Sequence, residues 1–569
     1  MTQESSTVSK VLIVGLDGAT MELIAPWVEQ GRLPNLGRMM KNGVWADLRS
    51  TKPYITTTAW SSFATGLNPG KHGIFDFYQH IPKTFDVYFT NSGVRRGKTL
   101  WRRLSDNGKK VCVVNVPMTY PPEKVNGILI SGMDAPGPES QFTYPADLYR
   151  ELKDALGEYI IDIHFDAVLG NGKPELHHFA AFLERLSEMI DNRCKAAEYL
   201  MSKYPWDLFV TVFVATDRIQ HQFWKFMDRT HPAYKREEAE QLGDAILTIY
   251  RKCDEALGRL LDRIDDNTSV LIMSDHGAGP GHRVFYVRTW LQSEGYLLLK
   301  GGRQAERSLQ KNLVSLRRFI FATGKRLIPR GIKQGLKRRI GRDKYIGLRL
   351  YHDVDWENTR AYSEGVCGNI FINLKGREPY GIVEPGNEYA NLCAEISERL
   401  LSIRDPKTSN KVVTKVYRKE ELYSGPFLEY APDLTVEGYP EYHCRGDSFS
   451  KELSISPDIQ FTDAPMSGTH RLNGAFLGIG PRFKKGYRLP DAAIVDIAPT
   501  VLYLLGMDIP ETMDGKVLVD ALDENYVGGR PVKKVKEGEE SEQISGEDVY
   551  SAREKEQIEE RLKGLGYLE

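Results

Sequence analysis

The sequence predicts an α/β fold: a mainly parallel central sheet with helices on both faces, interrupted by an inserted cap. Three observations predict it. Short apolar runs rich in β-branched residues, such as VLIVGL (11–16), read as buried parallel strands. Long amphipathic patterns alternate with them, which is the signature of helices crossing between parallel strands. A strongly basic stretch, 300–345, then breaks the alternation before β-like patterning resumes.

Taken in order, VLIVGL is closed by Asp17-Gly18, and residues 21–43 read as one or two helices broken near Pro34. VCVVNV (111–116), GILISG (127–132), DLFVTVFV (207–214) and SVLIMS (269–274) are further buried strands. Helical patterns cover about 179–203 and 238–266. In the basic stretch the only acids are Glu306 and Asp343, and Leu309, Leu313, Leu316 and Ile320 fall at helical spacing. It reads as a basic amphipathic helix within an insertion. RAYSEGVCGNIFINLKGREPYGIVEPG is β-like, a helix follows at about 387–402, and SAREKEQIEERLKGLGYLE is helix-prone. The expected organisation is a catalytic core in two parts, 10–299 and 351–524, around a helical insertion or cap at 300–350, with a charged tail at 525–569.

At 569 residues the chain can bury a large core, and hydrophobic and charged contents of 41% and 27% are those of a globular protein. A net charge of −1 excludes a polyelectrolyte binder and leaves only local electrostatic targeting. The six cysteines form no C-x-x-C pair and read as free thiols of a reducing compartment. The first residues carry no signal-peptide pattern, and no run approaches the roughly 20 apolar residues of a membrane span. The expected location is the cytoplasm, with peripheral attachment to the inner face of the membrane left open.

The chemistry lies in residues scattered along the chain. Ligands bind beyond the carboxyl ends of parallel strands, and Asp17, Asp217 and Asp275 each follow an apolar run. All three should project from one edge. Asp217 and His221 in TDRIQHQFW are four apart and share a helix face. Asp275-His276 in SDHG sits on a turn at a strand end, and His470 lies among small residues in MSGTHRLNG. Carboxylate and imidazole are ligands for zinc or manganese. Singly, each residue also reads as a structural Asp or His; the repeated strand-edge placement favours a two-metal centre. The run Thr56-Thr57-Thr58 precedes a small-residue helix start, where free amides and the positive dipole end suit a phosphate. It offers a hydroxyl nucleophile, or alternatively a β-prone edge segment.

In order, VGLDG, P-x-x-T-x-x-AW-x-SF-x-TGLNPGKHGIFDF, TD-x-x-xH, SDHG and GTH-x-x-NG are similar to the motifs of the alkaline phosphatase superfamily. The chain resembles its type I phosphodiesterase/nucleotide pyrophosphatase branch, in the subgroup of predicted phosphohydrolases and phosphomutases, over about residues 10–520. The resemblance implies an alkaline-phosphatase-like core and two divalent metal ions, zinc first and manganese as the alternative. It gives Asp217, His221 and His470 to one metal and Asp17, Asp275 and His276 to the other. Thr56, ten residues before Gly66, matches the nucleophile and a further metal ligand. Thr57 would bind substrate through its backbone N–H, and Arg218 would either contact a substrate phosphate or form a surface salt bridge. No C-x-P-S-R context fits the sulfatases, and the cofactor-independent phosphoglycerate mutases use serine where Thr56 stands.

The expected activity is cleavage of phosphodiester or pyrophosphate bonds in a nucleotide, nucleotide-sugar or lipid-linked substrate through a phospho-threonine. The alternatives are a phosphomutase and a catalytically idle membrane-surface binding protein. The segment 300–345 has three readings: a solvated helical face, a peripheral membrane contact, or a dock for an anionic substrate. Few aromatics interleave its charges, so no nucleic acid is expected. No oligomeric state is read from the sequence.

Overall fold

The computed structural model of the chain describes residues 9–81, 83–84, 86–169, 174–300, 354–446, 461–463, 466–537 and 549–564. The basic segment 300–345, with its membrane and substrate readings, lies outside them except for Lys300.

The centre is a nine-stranded sheet. The strands that matter here are β1 (Lys10–Leu16), β2 (Val44–Arg49), β3 (Val111–Val116), β4 (Gly127–Ser131), β5 (Thr143–Tyr144), β6 (Leu208–Phe213), β7 (Thr268–Met273), β8 (Gly277–Pro280), β9 (Gly468–Arg471), β10 (Asn473–Ile479) and β11 (Tyr487–Arg488). The spatial order is β11-β2-β10-β7-β1-β6-β3-β4-β5. β1 lies parallel between β7 and β6, with Val11 opposite Ser269 on one side and Leu208 on the other. β3 runs parallel to both β6 and β4. β3, β6 and β7 are buried along their whole length, as strands covered on both faces must be.

β10 is antiparallel to both β2 and β7. Sequence patterning gives neither β2 nor β10 as a strand. β2 is only half-buried, and β10 reads NGAFLGI, with glycines that look like turn signals. Those glycines instead allow close approach: a Cβ on Gly474 would stand 2.9 Å from the His276 carbonyl oxygen. The helical pattern at 238–266 divides at Gly243, which caps Arg236–Leu242.

The helices that position the site are α1 (Thr56–Thr65), α2 (Leu176–Lys203), α3 (Ala215–Met227) and α4 (Ala245–Leu261). Every residue of α1 is buried, so its serines and threonines are not solvent-facing. Residues 361–438 add a second body, a four-stranded antiparallel sheet backed by α5 (Asn387–Ser402). It has its own core, which includes Trp290, Tyr362, Ile370, Ile396 and Leu434. The chain then returns to the central sheet through β9 and β10. The final helix, α6 (Ala552–Gly564), packs Ile558 and Leu562 into the main core. Among the described residues no helix is long and apolar enough to cross a membrane, and no disulfide forms.

Gly468 controls how β9 meets α3, because a Cβ there would stand 2.2 Å from the Gln220 carbonyl oxygen. Gly468→Ala is therefore expected to destabilise the fold by about 1–3 kcal/mol, the usual cost of overpacking. Urea denaturation checks this; an unchanged midpoint would contradict the close approach.

Candidate metal centre and nucleophile

Three adjacent strands deliver three carboxylates to one edge. Asp17 directly follows β1, its N–H donating to Phe213 O at 3.0 Å. Gly18 turns away with a φ of 68°, and its Cβ position is 3.1 Å from the Asp217 side chain, so the turn admits no larger residue easily. β7 ends at Met273, Ser274 N donates to Ala475 O at 2.9 Å, and Asp275 and His276 follow. α3 starts directly after β6 with Asp217 in its first turn, where the helix dipole favours a carboxylate. His221 lies one turn on. β9 pairs antiparallel with β8, placing His470 opposite Ala278.

A polar scaffold fixes these pieces. Thr216 Oγ1 donates to Asp17 O at 2.5 Å, and Gln220 Nε2 donates to Gly18 O at 2.9 Å. Gly18 N donates to Asp275 Oδ1 at 3.1 Å. Trp60 Nε1, on α1, donates to Asp17 Oδ2 at 3.0 Å, so that oxygen is held and Oδ1 is left facing the cluster.

The structure brings all six sequence-derived ligand residues together. His221 Nε2 lies 3.2 Å from Asp217 Oδ1 and 3.0 Å from His470 Nε2, and His470 Nε2 is 3.4 Å from Asp217 Oδ1. His276 Nε2 lies 3.3 Å from Asp275 Oδ2 and 3.9 Å from Asp17 Oδ1. One ligand atom from each of Asp17, Asp275 and His276 falls within 4.8 Å of the others, and the same holds for Asp217, His276 and His470. His276 thus borders both triads, a position that sequence spacing does not reveal.

The imidazoles share one arrangement. Nδ1 of His221, His276 and His470 meets the backbone carbonyls of Gly468 at 2.9 Å, Gly277 at 3.0 Å and Tyr54 at 3.1 Å. A carbonyl only accepts, so Nδ1 carries the proton and Nε2 presents its lone pair to the cluster. This is the tautomer a metal ligand needs, fixed by an outer partner. Asp17 Oδ1, Asp275 Oδ2 and His276 Nε2 are buried without a hydrogen-bond partner among the described residues. Orphaned acceptors converging from several elements are costly unless a cation meets them. The donor set fits two divalent ions of the zinc or manganese type.

The electrostatics agree. Burial first, then the neighbouring carboxylates of Asp275 and Asp217, hold the Asp17 carboxyl well above the usual carboxylate range. Burial pushes Asp275 up to about 8, against the opposing Gly18 amide. Burial pushes Asp217 upward too, but the imidazoles of His221 and His470 and the Arg218 guanidinium outweigh it and hold it well below the usual range. Burial and the adjacent His276 lower His470 to about 3.

Thr56 opens α1 and is fully buried. Its Oγ1 has no hydrogen-bond partner among the described residues, nor does that of Thr57. Two bonds tie this segment to the cluster on either side of Thr56, Tyr54 O to His470 and Trp60 to Asp17. Arg218 forms salt bridges, but in the interior and not at the surface. It is 3% exposed; Nη1 bonds Asp217 Oδ2 at 2.6 Å, and Nη2 bonds Asp162 Oδ2 at 2.9 Å. The ligand carboxylate and Asp162 draw the guanidinium inward. Asp162 and Trp60 were not singled out from the sequence. Trp60 stands one helical turn after Thr56, the only local signal available; Asp162 has none.

A family model, type I phosphodiesterase / nucleotide pyrophosphatase, matches residues 11–451. No curated protein matches the sequence significantly. Among solved structures, murine ectonucleotide pyrophosphatase/phosphodiesterase 5 is similar at 12% identity and a TM-score of 0.48, and the human protein at 13% and 0.48. An inactive form of the murine protein in complex with AMP is similar at 12% and 0.47. In each case 90% of this chain and 100% of the other are covered.

Two outcomes follow from the geometry. Arg218→Ala would remove the guanidinium that pairs directly with both buried Asp162 and Asp217, and should cost about 3–5 kcal/mol in urea denaturation; a loss below about 1 kcal/mol would mean that solvent or the neighbouring His221 and Arg561 replace the guanidinium. The second concerns metal removal. Asp17 and Asp275 are raised in the folded state, and above about pH 7 the buried histidines with depressed values, His470 among them, are neutral whether the chain is folded or not, so from there to about 8 these groups leave more protons on the folded chain than on the unfolded chain. Stability of metal-free protein should therefore fall as pH rises from about 7 to 8. Added zinc or manganese should flatten that slope in thermal melts; a metal-free melting temperature that rises over this interval would contradict the buried, mutually repelling carboxyls.

Proposed function

The chain belongs to the type I phosphodiesterase/nucleotide pyrophosphatase family, and from that membership we propose that it hydrolyses a phosphodiester or pyrophosphate bond of a nucleotide-type substrate through a covalent phospho-Thr56 intermediate. The observation that supports this reading most is the buried, unpartnered Thr56 Oγ1 beside a cluster whose imidazole lone pairs face inward.

In this reading Asp17, Asp275 and His276 hold one divalent cation, and Asp217, His221 and His470 hold the other. Such cations, when bound, supply Lewis-acid polarisation of phosphoryl oxygens and ease ionisation of a hydroxyl or water. The chain's own part is positioning. Trp60 and Gly18 orient Asp17 and Asp275, and Arg218 orients Asp217. The amides of Thr56, Thr57 and Thr58 precede the first intrahelical bond of α1, Ala59 N to Ile55 O. They are free of helical partners and suit the non-bridging phosphoryl oxygens.

Thr56 Oγ attacks phosphorus in line. The Oγ–P bond forms as the bond to the leaving oxygen breaks, and the hydroxyl proton ends on the leaving alcohol or phosphate. A water then attacks the same phosphorus. The Oγ–P bond breaks, one water proton restores the Thr56 hydroxyl, and the other stays with the released phosphoryl product.

Thr56→Ala should reduce hydrolysis of bis(p-nitrophenyl) phosphate by zinc- or manganese-loaded protein to background, with metal content by elemental analysis close to that of the native chain. Native enzyme quenched in acid during turnover should yield a peptide carrying the retained p-nitrophenyl phosphoryl group on Thr56. Near-normal turnover by the alanine variant would overturn the assignment.

A further inference from the structure

Two cavities of very different size lie at the site, one bordered by Thr56 and by none of the six cluster residues, the other by His470. The one beside the nucleophile has a volume of about 20 Å³ and is lined by Thr56 and Thr57 on one side. Phe77, Phe89, Met118 and Met133 line it as well, and Tyr550, Ile558, Arg561 and Leu562 of the C-terminal segment complete it. The second cavity, about 320 Å³, reaches the centre at His470 and is lined also by Tyr54, Tyr417 and Arg471. A space of the first size holds about one water molecule; the second is large enough for a small-molecule ligand.

The C-terminal segment is firmly seated. The Tyr550 ring stacks on Tyr120 at 5.5 Å between centroids. Tyr120 OH donates to Glu554 Oε1 at 2.9 Å, and Tyr550 OH donates to Asp134 O at 3.2 Å. Ile558 and Leu562 are each 5% exposed. Arg561 spends its guanidinium on backbone: Nη1 bonds Met133 O at 2.5 Å and also Ala135 O, and Nη2 bonds Pro136 O at 3.1 Å. That grip turns α6 into a fixed wall facing Thr56.

In an in-line displacement the leaving group departs on the side opposite the nucleophile. The substituent that stays on phosphorus must then be accommodated nearer Thr56. We propose that residues 549–564 form a size-selective wall of the substrate site, restricting the retained substituent to a compact group, such as an unsubstituted or small-alkyl phosphoryl, while the extended portion leaves toward the His470 cavity. This rests on Thr56 being the nucleophile.

The test uses two diesters with the same leaving group and different retained groups, methyl p-nitrophenyl phosphate and bis(p-nitrophenyl) phosphate, with metal-loaded full-length protein. The native chain should favour the methyl ester in kcat/KM by at least about tenfold after correction for the uncatalysed rates, the scale on which a packed pocket discriminates. The Ile558→Ala/Leu562→Ala double variant and a chain ending at Glu537 should each lower that ratio by about tenfold. Circular dichroism identifies a variant that has lost its fold, and the other variant then carries the comparison. A native chain without preference for the methyl ester overturns the proposal, whatever the variants do. So does a ratio unmoved in a folded variant while hydrolysis still requires Thr56. Hydrolysis that survives Thr56→Ala instead overturns the functional reading on which the wall depends.

Discussion

Mutual repulsion among three buried carboxylates is the constraint around which this molecule is organised. Asp17, Asp217 and Asp275 are each 1% exposed or less. They arrive from the ends of β1, β6 and β7, which are immediate neighbours in the sheet. Adjacent strands stand about 4.8 Å apart, close to the roughly 4 Å separation of two cations in a two-metal site. The parallel sheet is thus already the ruler for such a centre. Without positive charge between them the carboxyls hold protons instead, as the upward shifts of Asp17 and Asp275 express. Asp217 escapes because Arg218, His221 and His470 crowd it. Burial that would be a defect in a structural core would favour cations between these carboxyls.

The imidazoles are set by backbone, not by side chains. Each of the three Nδ1 atoms meets a carbonyl at the start of a strand or the entry to a helix: Gly468, Gly277 and Tyr54. Two of those residues are glycines with no room for a side chain: a Cβ on Gly277 would stand 2.0 Å from Asn473 O, and one on Gly468 2.2 Å from Gln220 O. Small residues around His470 therefore serve the tautomer as well as the packing. The β8–β9 pair converts a ligand distant in sequence into a neighbour of His276, their rings stacked at 3.7 Å between centroids.

What the sequence makes legible is what local chemistry encodes. Strand ends marked by Asp-Gly or Asp-His, the i,i+4 spacing of Asp217 and His221, and the helix start at Thr56 all follow from periodicity and turn chemistry within a few residues. The β-branched runs announce the parallel strands for the same reason. Long-range partners are not legible. β10 disguises itself with glycines that serve a strand in close contact with the SDHG turn. His276 borders both triads only because β9 folds back on β8. Arg218 follows a ligand in sequence, and nothing local tells whether its guanidinium faces a substrate or a buried Asp162 contributed by a loop 56 positions earlier.

That last pairing links Asp217 and its cluster to the C-terminal helix. Met133 touches both guanidiniums: its sulfur lies 3.3 Å from Arg218 Nη2, and its carbonyl accepts from Arg561 Nη1 at 2.5 Å. Two buried cations so close repel each other, and each lowers the other's comfort in a region poor in water. Asp162 answers for Arg218, which holds the Asp162 carboxyl below its ordinary range despite burial. Arg561 is desolvated with Asp162 and Asp134 as its nearest compensating charges. Any shift of α6 that moved Arg561 would change the field acting on Asp162 and, through Arg218, on Asp217. The C-terminal helix beside Thr56 and the Asp217 carboxylate are therefore joined by a single chain of charges, so the tail belongs to the same electrostatic unit as the cluster.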